Sequence, residues 1–582
     1  MAIWAALLTI GLPWLGGLCV WMVGDKRPRL QHTLASGFAV VGGLFSLTLL
    51  RFVGAKTILS VPMGAAFGDF TLVADGLGVY LALIAAIVGG LAVIFSNDYM
   101  KGEAQLGRYY ALTFLFVGAM IGLVLSGSLL LMFIFWEITA FCSYALISFH
   151  NDDPKAVAGG IKALIMTQLG GIGLLAGAIT SYVYLNSYQI DAFLSRAEAL
   201  PPSVLSLVAF GFLLAAMAKS AQVPFQTWLP DAMEAPTPIS ALIHAATMVN
   251  AGVYLLARFF PAFEAVPGWR LAVITVGLIS ALFAALMAVV NNDLKRVLAY
   301  STISQLGYMV YAIGAGAILA SQFHLLSHSL FKALLFLGAG AVIHTVGTRD
   351  MLEMGGLGRR MPFVRAVFVV GALALAGLPI TNGFFSKELI LEGGLAHGPL
   401  WAYLGMILGA MITGLYTIRM VTLVFYGDSR LFKAEHDAPG AMRLSLFVLA
   451  LGTLTTWLLV GPFSRILAES LPFHHLHAEG TLMVLVEVIS APATWIAVAL
   501  ILGGMLAWLN RARFGSLIGK LGTFSDFLQS GMGFEWLNRQ IIRVTQSTAA
   551  SLRRTQTGLL GWNVVGIIAG LIVVLVLVAI GI

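Results

Sequence analysis

Long uninterrupted runs of apolar residues are the feature that most constrains how this chain can fold. Many of them reach about 20 residues, the length that an α-helix needs to cross the hydrocarbon core of a bilayer. The runs are solid and do not alternate with polar residues, which excludes an outer-membrane β-barrel. The sequence therefore predicts an all-α, polytopic integral membrane protein with about 14–16 transmembrane helices.

The composition excludes other classes of protein. Of the 582 residues, 59% are hydrophobic and only 10% are charged, whereas roughly a quarter of a soluble domain is charged. A soluble enzyme and a disordered chain are thereby excluded. The net charge of +7 is spread through short loops, so no nucleic-acid partner is expected. Cys19 and Cys142 lack iron–sulfur or zinc spacing, and no cofactor is expected in this chain.

The charges around the first apolar run predict the topology. No Lys or Arg precedes residues 2–23, and Lys26, Arg27 and Arg29 follow them. A cleavable signal peptide carries its charge first, so this run is predicted to be a retained helix with the N-terminus outside. An even number of spans would return the C-terminus to the outside. We expect a multi-pass protein of the cell inner (plasma) membrane.

A basic segment near the C-terminus differs from the apolar runs. Phe534, Leu537, Ile541 and Val544 recur there at helical spacing between polar residues, which indicates an amphipathic helix lying in the membrane interface. Such a helix could anchor this subunit alone or contact a neighbouring subunit. The predicted segments are N-terminal transmembrane helices (1–105), a core (106–430) of two inverted repeats at about 106–260 and 261–430, C-terminal transmembrane helices (431–510), the amphipathic helix (511–556) and a final transmembrane helix (557–582).

Ionisable residues inside the apolar runs are the candidate functional residues. Glu137 stands alone in FIFWEITAFCSY and Lys219 in LLAAMAKSAQVPF. A charge at mid-bilayer costs about 3 kcal/mol or more, so packing alone does not account for a whole set of them. Further members are His244, the group His324, His328 and Lys332 at i, i+4 and i+8, and the adjacent Lys387 and Glu388.

Proton transfer is the chemistry that needs such a set. Burial disfavours the charged form of a lysine, and a nearby carboxylate restores it. Histidine bridges the gaps because its unperturbed pKa is about 6.5. Two of the lysines also lie beside Pro- or Gly-containing breaks: Lys219 precedes Pro224, and Lys387 follows Pro379 and Gly383. A pair of interrupted helices in two halves of a chain indicates an inverted-repeat transporter.

Five motifs in order resemble the antiporter-like subunits of respiratory complex I, especially the distal subunit with the lateral helix, and of Mrp-type cation/proton antiporters. They are FWEITAFCSYALISF, PFQTWLPDAMEAPTPISALIHAATMVNAGVYLLAR, NNDLKRVLAYSTISQLGYM, FHLLSHSLFKALLFLGAGAVIH and GLPITNGFFSKELIL. The resemblance makes 106–430 an antiporter-like core. It implies a proton relay in which Glu137 partners Lys219, His244 and Lys295 continue the path, His324, His328 and Lys332 form its middle, and Lys387 with Glu388 forms its exit.

Two features set this chain apart from the complex I distal subunit. The segment between its last two predicted spans is only about 50 residues long, shorter than the complex I lateral helix. Gly170 and Gly171 also stand where that subunit carries an acidic residue. In having two glycines here the chain resembles the Mrp and membrane-hydrogenase relatives. We therefore leave open which complex the chain belongs to.

The function expected is translocation of protons, alone or in exchange for sodium, within a larger membrane complex. Expected partners are other hydrophobic subunits, with either a redox module or small Mrp-type subunits, and the lipid bilayer. The alternatives are a proton-motive-force-coupled subunit of an inorganic-carbon uptake complex and a structural membrane scaffold. No catalytic site of its own is expected. His474, His475 and His477 could bind a metal, but a solvated outer loop is the preferred interpretation, and no metal site is expected.

Overall fold

The computed structural model describes residues 1–64, 66–428, 437–514, 527–528, 531–555, 564 and 569. These residues fall into two units, Met1–Gly519 and Lys520–Ile582. The predicted final helix at 557–582 lies almost wholly outside the described residues.

Helices make up nearly all of the first unit, which confirms the predicted all-α membrane fold. Thirteen of the described helices or helical stretches are long and apolar enough to cross a membrane. The helices are α1 (Ala2–Val23), α2 (Pro28–Ser46), α3 (Gly76–Tyr99), α4 (Leu106–Leu125), α5 (Leu129–Ile147), α6 (Pro154–Leu185), α7 (Ile190–Arg196), α8 (Pro202–Lys219), α9 (Trp228–Asp231), α10 (Thr237–Ala241), α11 (Met248–Phe263), α12 (Trp269–Val290), α13 (Leu294–Ala315), α14 (Ile318–Val346), α15 (Pro362–Ala376), α16 (Asn382–His397), α17 (Leu400–Phe425), α18 (Gly440–Thr455), α19 (Val460–Ser470), α20 (Thr481–Ser490) and α21 (Pro492–Leu509).

Two features of the first unit differ from the sequence-based expectation. A short antiparallel hairpin of β1 (Ala55–Pro62) and β2 (Asp69–Ala74) joins α2 to α3, where no strand was predicted. Within the predicted C-terminal transmembrane helices (431–510), the last apolar run is divided into α20 and α21, because Pro492 forces Ala491 out of the helical region, to φ −68° and ψ 122°.

Polar side chains begin several helices at the points where the apolar runs end. The Asp75 carboxylate accepts the Gly78 N–H at 2.8 Å at the start of α3. The Asp293 carboxylate accepts the N–H of Lys295 at 2.9 Å at the start of α13. These caps satisfy backbone donors that have no partner within the helix. They fix where each span begins.

The chain reversals lie at two opposite ends of the helix bundle. The loops at one end contain the Lys26, Arg108, Arg296 and Arg349 regions, and we call it the basic end. The other end, the basic-poor end, contains the β1–β2 hairpin and the connections 186–201, 264–268, 316–317, 398–399 and 471–480. This segregation follows the pattern that the positive-inside rule produces.

The second unit contains the predicted amphipathic helix, α22 (Phe534–Thr555). Trp536, Leu537, Ile541 and Val544 are all exposed on it. Arg539 and Arg543 lie between these apolar residues in the sequence. The helix therefore has the composition of an interfacial helix.

Candidate functional site

The predicted ionisable residues are buried in the first unit. Lys219, His244, His324, His328, Lys332 and Lys387 are all completely buried, and Glu388 and Lys295 are nearly so. Glu137 is half-buried, but its Oε1 atom is buried and has no hydrogen-bond partner among the described residues. A set of buried ionisable groups of this size is costly in an apolar bundle unless its members have a function.

Lys219 lies at the last residue of α8, where the helix stops before Pro224. Its Nζ donates to the Trp136 carbonyl at 2.8 Å and sits 4.9 Å from the centre of the Trp136 ring. Glu137 is the next residue of α5. Within the described part of the chain, no ion pair within 4.0 Å joins Lys219 to Glu137. The lysine therefore lies beside the predicted acidic partner and bonds the neighbouring carbonyl.

Gly171 leaves the space that the Glu137 carboxylate occupies. A Cβ atom on Gly171 would lie 2.6 Å from Glu137 Oε1, well inside van der Waals contact. The sequence comparison singled out this glycine as a departure from an acidic residue. Its role in the structure is to let α6 pass close to the carboxylate of α5.

His244 lies in an irregular turn between the two halves of one span. Residues Leu242–Ala246 form a π-helical turn that ends at Thr247, whose φ and ψ are −132° and −110°. The His244 ring lies 4.5 Å from the Phe336 ring, and neither ring nitrogen has a described partner. Single π-turns inside helices occur frequently at functional sites.

Three ionisable residues lie along one face of α14, as their spacing predicts. His324 bonds Ser386 Oγ through Nδ1 at 2.9 Å and Gln305 Oε1 through Nε2 at 3.1 Å. The His328 ring centre is 6.4 Å from that of His324, and its nitrogens have no described partner. The Lys332 ammonium donates to the Leu298 carbonyl at 3.2 Å and to the Ser301 hydroxyl.

Lys387 reaches back across the second helix break. Its Nζ donates to the carbonyls of Leu375 at 2.8 Å and Ala376 at 3.2 Å, the last two residues of α15. The C-terminal end of a helix carries partial negative charge, which stabilises an ammonium group there. The broken helix thus supplies part of the counter-charge for Lys387, and its break at Gly377 makes these carbonyls available.

Lys295 lies at the basic end, away from the middle of the predicted relay. Its Nζ donates to the carbonyls of Met233 and Ala235, both at 2.7 Å. Arg349 holds the same loop through Glu234 at 3.1 Å and reaches Asp293 at 3.3 Å. The contacts of Lys295 therefore position the segment that leads into α10 and His244.

Uncharged polar residues around these groups were not predicted from the sequence. Gln222, Gln226, Asn250, Ser304 and Gln305 are completely or almost completely buried, and each has a side-chain atom without a described partner. Polar atoms of this kind are usually satisfied by ordered water. These amide and hydroxyl side chains are visible in the sequence as polar residues inside apolar runs. An uncharged polar residue in such a run indicates a functional site less strongly than a charged residue does.

A buried ion pair at the basic-poor end was also missed. The Arg258 guanidinium pairs with the Asp75 carboxylate and also contacts the Tyr254 hydroxyl. His474 approaches this pair from the 471–480 loop, and its Nε2 is buried without a described partner. Burial, together with the positive charge of Arg258, lowers the pKa of His474 to about 4. His474 is therefore not the solvated loop residue that the sequence suggested.

Comparison with known proteins identifies the family. The family model "NADH:quinone oxidoreductase/Mrp antiporter, TM" matches residues 126–413, and "NADH-Ubiquinone oxidoreductase (complex I), chain 5 N-terminus" matches residues 62–110. F(420)H(2) dehydrogenase subunit L of Methanosarcina mazei is 42% identical over 492 residues, which cover 76% of this chain and 73% of the relative. The chain belongs to the NADH:quinone oxidoreductase/Mrp antiporter family.

Other members of the family agree with this assignment. Na(+)/H(+) antiporter subunit A1 of Staphylococcus aureus is 38% identical over 462 residues, 74% of this chain and 57% of the relative. The Mrp complex of Dietzia sp. DQ12-45-1b contains a chain that matches all of this one at a TM-score of 0.84 and 27% identity, over 63% of its own length. These matches confirm the resemblance, the multi-pass membrane fold and the class of multisubunit membrane complex.

A second solved complex supports the fold alone. A chain of the membrane-bound sulfane sulfur reductase, an archaeal respiratory membrane complex, matches 83% of this chain and 99% of its own length at a TM-score of 0.73 and 24% identity.

The described residues contain no group of three His, Cys, Asp or Glu side chains that could hold a metal ion.

Proposed function

We propose that this subunit moves protons across the membrane along a row of buried ionisable side chains. The row begins at Glu137 and Lys219, continues through His244 and the α14 group His324, His328 and Lys332, and ends at Lys387 and Glu388. The observation that carries the proposal is that all members of this set except the half-buried Glu137 are buried, and that the set extends across both broken helices. Whether each group is neutral or charged depends on the charge of its neighbours. A change of charge on one group can therefore make the next group release or take up a proton.

Lys295 has a supporting role in this proposal. It donates to two backbone carbonyls of the loop before α10, which orients the segment carrying His244. The driving reaction and any redox cofactor would reside in partner subunits. Termini on the outside of the plasma membrane, with the basic end in the cytoplasm, fit the charge distribution of the loops.

Exchange of protons for sodium is the second candidate function. It is favoured by the 38% identity with a relative named as a Na(+)/H(+) antiporter subunit. A purely structural scaffold is disfavoured, because replacing buried ionisable groups by apolar ones would stabilise such a scaffold. Co-purification in mild detergent distinguishes the complexes: flavin and iron–sulfur proteins indicate a redox pump, whereas small hydrophobic subunits alone indicate an Mrp-type antiporter.

Lysine-to-arginine variants test the relay directly. Arginine stays protonated at any attainable pH, whereas a desolvated lysine can release its proton. We expect Lys219→Arg, Lys332→Arg and Lys387→Arg to stop proton flux into proteoliposomes as completely as the corresponding Lys→Ala variants. Flux is normalised to the assembled complex. The matched control is Lys155→Arg at an exposed position in the first turn of α6, which should retain full flux. Substantial flux in all three relay variants would refute a lysine relay.

A further inference from the structure

A group of four glutamates leads from the buried end of the relay to the surface at the basic-poor end. Glu388 is 2% exposed, Glu392 and Glu479 are half-buried, and Glu487 is exposed. We call this group the acidic ladder. Only Glu388 belongs to the relay described above, and the other three carboxylates have no role in it.

Helix packing brings the members of the ladder together. Phe384, Phe385 and Leu389 of α16 form one apolar cluster with Leu485 and Val488 of α20 and with Val498 of α21. Glu388 and Glu392 are one helical turn apart on α16, so they lie on one side of that helix. Glu487 precedes Val488 of the same cluster. Glu392 interacts electrostatically with both Glu487 and Glu479.

One carboxylate oxygen of Glu388, the buried member of the ladder, is left without a partner. Glu388 Oε1 is buried and has no hydrogen-bond partner among the described residues. Glu388 interacts electrostatically with Lys387 on one side and with Glu392 on the other. Thr494 of α21, itself buried, faces the same carboxylate. A carboxylate with one unpartnered oxygen, lying between a lysine and a second carboxylate, is placed to accept a proton from one and pass it to the other.

An ordinary structural role does not account for the other three glutamates. None of the ion pairs within 4.0 Å in the described part of the chain includes Glu392, Glu479 or Glu487. Placing like charges near one another is destabilising. His477 interacts electrostatically with Glu479, and uptake of a proton by one of the carboxylates would relieve their remaining mutual repulsion.

We propose that the acidic ladder is the route by which protons pass between the Lys387–Glu388 pair and the basic-poor face of the membrane. In the outward direction the Lys387 ammonium loses a proton to the Glu388 carboxylate, so one N–H bond breaks and one O–H bond forms. Each later step breaks the O–H bond of one carboxyl group and forms one on the next, with water bridging longer gaps. The last carboxyl group releases the proton to bulk water, so every carboxylate returns to its starting state, and the neutral Lys387 amine takes up the next proton from the relay.

The direction of α16 supports this route. The helix runs from the break at 377–381 towards Gly398, and a Cβ on Gly398 would lie 3.4 Å from the Tyr311 hydroxyl near the end of α13. Gly398 and Tyr311 both lie at the basic-poor end. The ladder therefore connects the relay to the end of the bundle opposite Lys295 and Arg349.

This inference rests on the proposed proton relay, and the experiment separates the two. Proton flux and ²²Na⁺ uptake are measured in proteoliposomes that contain the intact complex, normalised to assembled protein. The test variants are Glu392→Gln, Glu487→Gln and the double variant. The conservative variant is Glu392→Asp, which keeps a titratable group. The control is Glu469→Gln, at an exposed glutamate of α19 outside the ladder.

We expect Glu392→Gln to lower proton flux about tenfold or more, Glu487→Gln to lower it less because that side chain is the exposed member of the ladder, and the double variant to lower it most. Glu392→Asp should recover part of the flux, and Glu469→Gln should retain all of it. If Glu392→Gln does not assemble, the exposed Glu487→Gln decides the question.

Full flux in the double variant, or loss of ²²Na⁺ uptake with proton flux unchanged, would overturn the proposal. If Lys387→Arg abolishes flux while the ladder variants keep it, only the ladder is wrong. If Lys387→Arg and the other two Lys→Arg variants all keep flux, the relay itself is wrong.

Discussion

Replacing Gly377 by alanine should impair proton transfer without changing any charge. Gly377 ends α15 in the left-handed conformation, with φ 86° and ψ 43°. A Cβ atom there would lie 3.2 Å from Cδ and 3.5 Å from Nζ of Lys387. The distance to Cδ is shorter than an ordinary van der Waals contact, so the lysine side chain must shift by a few tenths of an ångström, and we expect this shift to disturb its bonds to the carbonyls at the end of α15.

The size of the effect follows from two contributions. A non-glycine residue in the left-handed region costs roughly 1–2 kcal/mol. Displacement of Nζ should break at least the longer of its two hydrogen bonds, the 3.2 Å contact with Ala376. A hydrogen bond to a charged group contributes about 1.5–3 kcal/mol. If that energy holds Lys387 in its working position, its loss lowers proton flux by about tenfold or more.

Gly347 provides a matched control for the backbone strain. It ends α14 with φ 79° and ψ 7°, and a Cβ atom there would meet nothing within 4 Å. Gly347→Ala should therefore carry the same conformational cost without pressing on a lysine. Both variants are compared by thermal unfolding of the purified complex and by proton flux into proteoliposomes, normalised to assembled protein.

The two variants should lose similar thermal stability, and only Gly377→Ala should lose flux. Equal flux in both would mean that the position of Lys387 against the end of α15 is not needed for transfer. Equal loss of flux in both would mean that general destabilisation is the cause. Either result would refute the reasoning.

Three further predictions concern the rest of the chain. Glu137→Gln should leave the complex assembled but abolish most proton translocation, since a neutral amide cannot modulate Lys219; normal flux in reconstituted protein would contradict this. A cysteine at Ser551, in a background without the native cysteines, should label only from the cytoplasm, and one at Ser195 only from outside; the reverse pattern would overturn the orientation. His474 has a lowered pKa, so its contribution to stability should be complete above pH ~6.5 and decline as the pH falls towards 4. Thermal unfolding of His474→Asn should show a weaker decline over this range, and an unchanged decline would argue against it.

The sequence alone was sufficient for the features that depend on local spacing. Helical periodicity placed His324, His328 and Lys332 on one face of α14, since residues four apart lie on the same side of a helix. Proline and glycine indicated the interruptions after Lys219 and before Lys387. The length of the apolar runs indicated the membrane class, because a bilayer sets the length of a spanning helix.

Only the tertiary structure decided which groups meet across helices. It placed Lys219 Nζ on the Trp136 carbonyl, Lys387 Nζ on the end of α15, and Lys295 on the loop before α10. The pairing of Glu137 with Lys219 in a relay stays a prediction. Spacing along one helix is fixed by the backbone, whereas contacts between helices depend on how side chains of distant segments pack. That packing also brought Glu392 of α16 to Glu487 of α20, two residues 95 positions apart in the sequence.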